Sequence, residues 1–171
     1  MKIAIFYGST TGNTEDIAEQ IQRILGSDTV DLLDVAEAAL NESAAYEQII
    51  MGIPTWDYGE IQPEWEDIWD QIDQVDFTGK SVALYGLGDQ IGYGEWFLDA
   101  MGLLHDKIQA QGGRMVGYWS TEGYQFEASK ALSKDGKQFV GLAVDEDCQH
   151  ELTEQRLQSW LQQLQSEFEG A

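Results

Sequence analysis

The feature that most constrains the fold is a regular exchange of short apolar runs for stretches of helical spacing. Ile3–Tyr7 (IAIFY), Val30–Leu33, Gln48–Ile53 (QIIMGI), Ser81–Tyr85 and Met115–Trp119 read as strands. The first has no polar face, as expected of a parallel strand covered on both sides. Between them, Ile17, Ile21, Ile24 and Leu25 share one helical face that Gly26 terminates. Trp65, Ile68, Trp69 and Ile72 repeat the pattern. Phe97, Met101, Leu104 and Ile108 do so again before Gly112-Gly113, and Leu157, Trp160, Leu161, Leu164 and Phe168 mark a last helix. Pro54 should end the third strand. Strands alternating with helices give an α/β, three-layer sandwich: a five-stranded parallel sheet with helices on both faces. A chain of 171 residues suits one domain, residues 1–171, with strand order 2-1-3-4-5. One stretch breaks the rhythm. Residues 120–138 are too long for a plain connection and read as an insertion that splits the fifth strand, resumed at Phe139–Val144.

In that strand order, ligands bind beyond the carboxyl ends of the strands, where the order reverses between the first and third. The chain's unusual loops all fall there: GSTTGNT after strand one, PTWDYGEIQ after strand three and GLGDQIGYGEW after strand four. In the first, Ser9, Thr10, Thr11, Asn13 and Thr14 offer neutral donors, and Gly12 lets the backbone come close. A helix follows at once, so backbone N–H groups and the helix dipole favour a phosphate. The lysine of the nucleoside-triphosphate loop is missing, which points to one terminal phosphate rather than ATP or GTP. Taken alone, the same residues also read as a turn and helix cap. The other two loops carry Trp56 and Tyr58, and Tyr93 and Trp96, where core packing does not demand large aromatics. A phosphate cradle beside aromatic walls that can sandwich a flat ring describes a site for flavin mononucleotide, FMN.

Charge and cysteine content narrow the alternatives. With 31 acidic against 9 basic residues the formal charge is −22. Such a surface repels nucleic acid and anionic membranes and suits partners with basic faces, although solubility or a salt-adapted setting gives the same composition. The single cysteine, Cys148, excludes an internal disulfide and a cysteine-ligated zinc or iron–sulfur centre. His105 and His150 read as ordinary surface or boundary residues, so no metal site and no catalytic group is expected. Only Met1 and Lys2 precede the first strand, so no signal peptide is expected, and no apolar run approaches the roughly 18 residues of a membrane span. The expectation is a cytoplasmic monomer.

YGSTTGNT (7–14), GIPTWDYGEIQ (52–62), GLGDQIGYGEWFLDAMG (86–102), VGYWSTEGYQFEASKAL (116–132) and FVGLAVDEDCQ (139–149) together resemble the long-chain flavodoxins. The block at 86–102 and LHDK (104–107) are most similar to a subfamily of enteric-type bacteria. The resemblance implies a flavodoxin-like fold, non-covalent FMN and an electron-carrier role. It implies partners such as a flavodoxin/ferredoxin-NADP reductase and acceptor oxidoreductases. Carried onto this chain, residues 9–14 hold the FMN phosphate, Trp56 packs on the inner face of the ring and Tyr93 on the outer. Pro54, Thr55, Asp57, Tyr58, Gly59, Leu87, Gly88 and Asp89 surround the ring. Trp96 departs from many relatives, which carry Asn or Tyr there. The peptide between Asp57 and Tyr58 is expected to reorient on reduction, at a cost in strain because neither residue is glycine. Asp57, Glu60, Glu64, Asp89 and Glu95, in or beside the ring loops, should oppose charge on a reduced ring and make the protein strongly reducing. An FMN-dependent NAD(P)H:quinone reductase of the same fold is the alternative.

Overall fold

A computed structural model describes residues 2–170. Strand β1 (Ile3–Tyr7) lies between β2 (Val30–Asp34) and β3 (Gln48–Trp56). On the far side of β3 follow β5 (Ser81–Leu87) and then β6 (Arg114–Val116), all parallel. In order of the crossing helices this is the expected 2-1-3-4-5 arrangement. A short β4 (Glu60–Ile61) folds back on β3 as an antiparallel hairpin.

The fifth strand is split as anticipated. β6 pairs with Ser81–Ala83 of β5, and β9 (Leu142–Val144) takes up the same edge at Tyr85–Leu87. Between them the chain leaves the sheet at Gly117, whose φ of 80° few other residues adopt. β7 (Trp119–Ser120) and β8 (Gln138–Phe139) then form a separate antiparallel ribbon. The insertion therefore has strands of its own.

Two apolar layers flank the sheet. On one side Ile5, Ile50, Ala83 and Leu142 pack against Ile17 and Ile21 of α1 (Asn13–Leu25) and Leu157, Trp160 and Leu161 of α4 (Thr153–Glu169). On the other, Phe6, Ile49, Met51 and Leu84 meet Met101, Leu104 and Ile108 of α3 (Asp99–Ala110) together with Trp65, Ile72 and Phe77.

Three local expectations are corrected. β3 does not stop at Pro54 but runs through it to Trp56, with Pro54 opposite Leu87. β1 has ended opposite Gly52, so at Pro54 that side of β3 is an edge, where a missing N–H is tolerated. The spacing at 65–72 does not make one helix. A single α-helical turn, α2 (Pro63–Asp67), is followed at Ile68 by a 3₁₀ segment, Trp69–Gln74. Asp67, Asp70 and Asp73 recur every third residue there, and like charges at that spacing oppose a continuous α-helix. His105 is buried, its ring nitrogens 3.1 Å from Asp106 Oδ1 and 2.6 Å from Tyr118 Oη.

Candidate functional site

The carboxyl ends of β1, β3 and β5 open into a cavity of about 330 Å³. One end is built by the start of α1. Its N-cap is Gly12, at φ 94°, and no side chain caps the helix. The first helical bond runs from Asp16 N–H to the Gly12 carbonyl, so the N–H groups of Asn13, Thr14 and Glu15 have no acceptor within the helix. Thr11, Asn13 and Thr14 line the cavity. Tyr85, fully buried in β5, donates its hydroxyl to the Thr14 carbonyl at 2.9 Å and so fixes this helix end to the sheet.

Behind the loop stands α2. Gln62, buried, accepts the Trp65 N–H at 3.2 Å and donates Nε2 to Thr10 Oγ1 at 3.0 Å. Trp65 in turn donates its indole N–H to the Gly52 carbonyl at 2.9 Å. The Gly12 N–H donates to Ser9 Oγ at 3.0 Å, and the Ser9 N–H to Glu64 Oε2 at 3.2 Å.

The other end of the cavity is aromatic. Trp56 comes from the tip of β3, and Tyr93 and Trp96 from the loop after β5. Tyr58 does not line the cavity. It is 68% exposed and meets Trp96 edge-on at 4.9 Å and Tyr93 at 6.5 Å, bridging the two ring loops. Asp57 already sits at φ 44°, in the left-handed region, so the hairpin bears positive-φ strain at a non-glycine residue in this state. Thr55 Oγ1 accepts the Ala100 N–H at 3.1 Å, which ties the hairpin to α3.

The third wall is acidic and rests on one buried carboxylate. Asp145 has no solvent exposure and accepts four hydrogen bonds: Gln90 N–H at 3.0 Å, Gln90 Nε2 at 2.7 Å, Asp147 N–H at 3.1 Å and Cys148 N–H at 2.8 Å. It thereby locks the loop after β5 to the turn after β9. That turn presents Glu146 and Asp147 to the cavity, beside Asp57 and Asp89, and no lysine or arginine lines it. Burial, then Asp89 and Asp145, push the Asp147 carboxyl up from its ordinary value.

Of the residues expected at the site, Thr11, Asn13, Thr14, Pro54, Thr55, Trp56, Asp57, Leu87, Gly88, Asp89, Tyr93 and Trp96 come together around the cavity. Ser9, Thr10, Gly12, Tyr58 and Gly59 stand behind this lining. Glu64 is not beside the ring loops but under the first loop, while Glu60 and Glu95 are exposed and outside the lining. Phe97, Glu146 and Asp147 were missed. Phe97 shows only helical core spacing in the sequence, and it does pack on Phe126 and Phe139. The Asp145-Glu146-Asp147 run directly follows a strand at the same sheet edge, and that position was the available signal.

Comparison with known proteins is decisive for kinship. The pattern that defines the flavodoxin family matches residues 5–160. The chain belongs to the flavodoxin family. It is 52% identical over 168 residues to Flavodoxin 2 of Escherichia coli strain K12, covering 98% of this chain and 97% of that one. A flavodoxin of Nostoc sp. PCC 7120 is 53% identical over 167 residues, with the same coverage. The crystal structure of Fusobacterium nucleatum flavodoxin bound to flavin mononucleotide superposes with a TM-score of 0.92 at 34% identity, over 98% of both chains. Both relatives are named flavodoxin, an electron-carrier protein rather than an enzyme, which places the chain in the carrier class.

Proposed function

We propose that the chain carries electrons on non-covalently bound FMN between a reductase and acceptor enzymes, as a low-potential carrier. The observation that supports it is the pairing of an uncapped helix N-terminus with an aromatic, cation-free cleft at one sheet edge. The orphaned N–H groups of Asn13, Thr14 and Glu15, with the Thr11 and Thr14 hydroxyls, suit a phosphate that needs no lysine. Trp56 and Tyr93 would flank the ring, with Pro54, Thr55, Leu87 and Gly88 around its edge. FMN supplies one- and two-electron redox chemistry when bound.

The chain's own residues then set two properties. Trp56, Tyr93 and Trp96 exclude water from the cleft, which strengthens every charge interaction inside it. Asp57, Asp89, Glu146 and Asp147 make negative charge on the bound group unfavourable and draw basic partner surfaces to the same edge. Among the described residues no helix is long and apolar enough to cross a membrane. The test is reconstitution with FMN followed by an anaerobic, reductase-coupled redox titration. Two resolved one-electron steps, the second strongly reducing, are expected. Rapid bleaching of the flavin by NADPH alone would instead establish the quinone-reductase alternative.

A further inference from the structure

Glu64 occupies an unexpected position for a carboxylate in a phosphate site. Its Oε2 accepts the Ser9 N–H at 3.2 Å, at the first residue of the loop. The Asp34 carboxyl, at the end of β2, lies close enough for its charge to act on Glu64, and its Oδ1 accepts the Ala36 N–H at 2.9 Å. Gln62, two residues before Glu64, donates Nε2 to Thr10 Oγ1 at 3.0 Å in the same loop. Tyr7 of β1 stands opposite Asp34 and packs in the layer with Ile17 and Ile21 of α1. Among the described residues no lysine, arginine or histidine forms an ion pair with Glu64.

We propose that phosphate binding at residues 9–14 is coupled to proton uptake by Glu64, which makes Glu64 the residue that sets the pH dependence of FMN affinity. The inference rests on the reading that the FMN phosphate sits in this loop. A neutral Glu64 still accepts the Ser9 N–H through its carbonyl oxygen, so the loop keeps its shape while losing a repulsive charge. Burial, opposed in part by the Ser9 N–H and reinforced by Asp34, already raises the Glu64 carboxyl above its ordinary value. A phosphate dianion raises it further. Affinity is therefore highest below this window and falls as pH rises through it.

The test is calorimetric titration of FMN into the apoprotein in two buffers of different ionisation enthalpy, from about pH 5 to about pH 8. The wild type should take up a fraction of a proton per FMN within the window. Glu64→Gln keeps the acceptor for Ser9 and should lose that uptake. It should also bind FMN about thirtyfold more tightly at the alkaline end, the effect of one carboxylate on a doubly charged phosphate roughly 8 Å away at an effective dielectric near 40. The FMN phosphate titrates near pH 6 in both proteins, so the difference between them isolates Glu64. Riboflavin, which lacks the phosphate, should bind both proteins equally. Equal proton uptake in both, or weaker FMN binding by a variant with an unchanged unfolding midpoint, overturns the coupling. If Glu64→Gln does not fold, Asp34→Asn must lower the uptake in its place, and unchanged uptake overturns the coupling as well. Thr11→Ala with Thr14→Ala distinguishes the underlying reading: unchanged FMN affinity there refutes the phosphate site itself, and the coupling with it.

Discussion

Asp145 is the residue whose loss should do most damage to the site without touching a ligand. Replacing it with alanine leaves four donors without acceptors, from Gln90, Asp147 and Cys148. Removing the charge also recovers its desolvation cost, so the sign depends on whether water can reach those donors. At Asp147 and Cys148, both exposed, it can. Gln90 is 3% exposed, its N–H and Nε2 both point at Asp145, and its Oε1 already accepts the Gln125 N–H at 2.6 Å. Two buried orphans at about 1–3 kcal/mol each therefore decide the outcome, and the predicted loss is roughly 3–5 kcal/mol. For a chain of this size that is on the order of 10–15 °C in Tm. Asp145→Asn should cost about 2 kcal/mol, because one oxygen still accepts a donor pair while the new amide N–H₂ faces the other pair. Urea unfolding of the apoprotein followed by tryptophan fluorescence measures both. FMN affinity should drop with stability, since the loop after β5 and the turn carrying Glu146 and Asp147 lose their common anchor. A loss below about 1 kcal/mol for Asp145→Ala would show that the two loops hold their places without this carboxylate.

Three further outcomes are expected. Tyr93→Ala should weaken FMN binding by about tenfold, from lost stacking of roughly 0.5–1.5 kcal/mol plus lost burial, and fluorescence quenching on FMN titration reads it directly. Glu146→Gln with Asp147→Asn should raise the lower-potential step by roughly 20 mV per charge, from about 0.5 kcal/mol each at roughly 10 Å and an effective dielectric near 60. High salt should shrink that difference, and a shift of the opposite sign in the titration would contradict the electrostatic account. Tyr46→Phe removes the 2.6 Å hydrogen bond to Asp31, which, with Lys2, holds that carboxyl below its ordinary value. A depressed carboxyl stabilises the fold above its unfolded value and loses that contribution as pH falls through the folded one. The variant should therefore be about 1 kcal/mol less stable at neutral pH, reduced by the partial exposure of Asp31, and indistinguishable from wild type in strong acid.

The strand order was legible because the central strands announce themselves with mostly apolar runs, and the topology of such runs is tightly restricted. The site's position followed, since three irregular loops share one sheet edge. What escaped prediction depends on contacts between distant segments. Pro54 signals a strand end in isolation, and only the early end of β1 makes it harmless. Asp145-Glu146-Asp147 has the composition of a solvated turn. Nothing local shows that its first member is fully buried or that two of its four donors come from 55 residues away. Glu64 and Ser9 are equally distant, 55 positions apart. The sequence also places Thr10 among the loop's donors, yet its hydroxyl is turned to Gln62.

These placements divide the acidic residues by what they act upon. Every carboxylate near the cavity opposes added negative charge, and the bound group brings such charge at two points: the phosphate, always, and the ring, only when reduced. With the phosphate at residues 9–14 as proposed, Glu64 and Asp34 would lie at its end, behind the Ser9 N–H, and their charge would act on affinity in every redox state. Asp57, Asp89, Glu146 and Asp147 line the cavity itself, where Trp56, Tyr93 and Trp96 also stand, and their charge weighs on potential and docking. A carboxylate that lowers the potential by weakening the reduced complex costs little affinity for the oxidised one, whereas one at the phosphate weakens both. Only a carboxylate at the phosphate end gains by being able to take up a proton. The raised Glu64 carboxyl, with which no lysine or arginine forms an ion pair among the described residues, suits that division of labour.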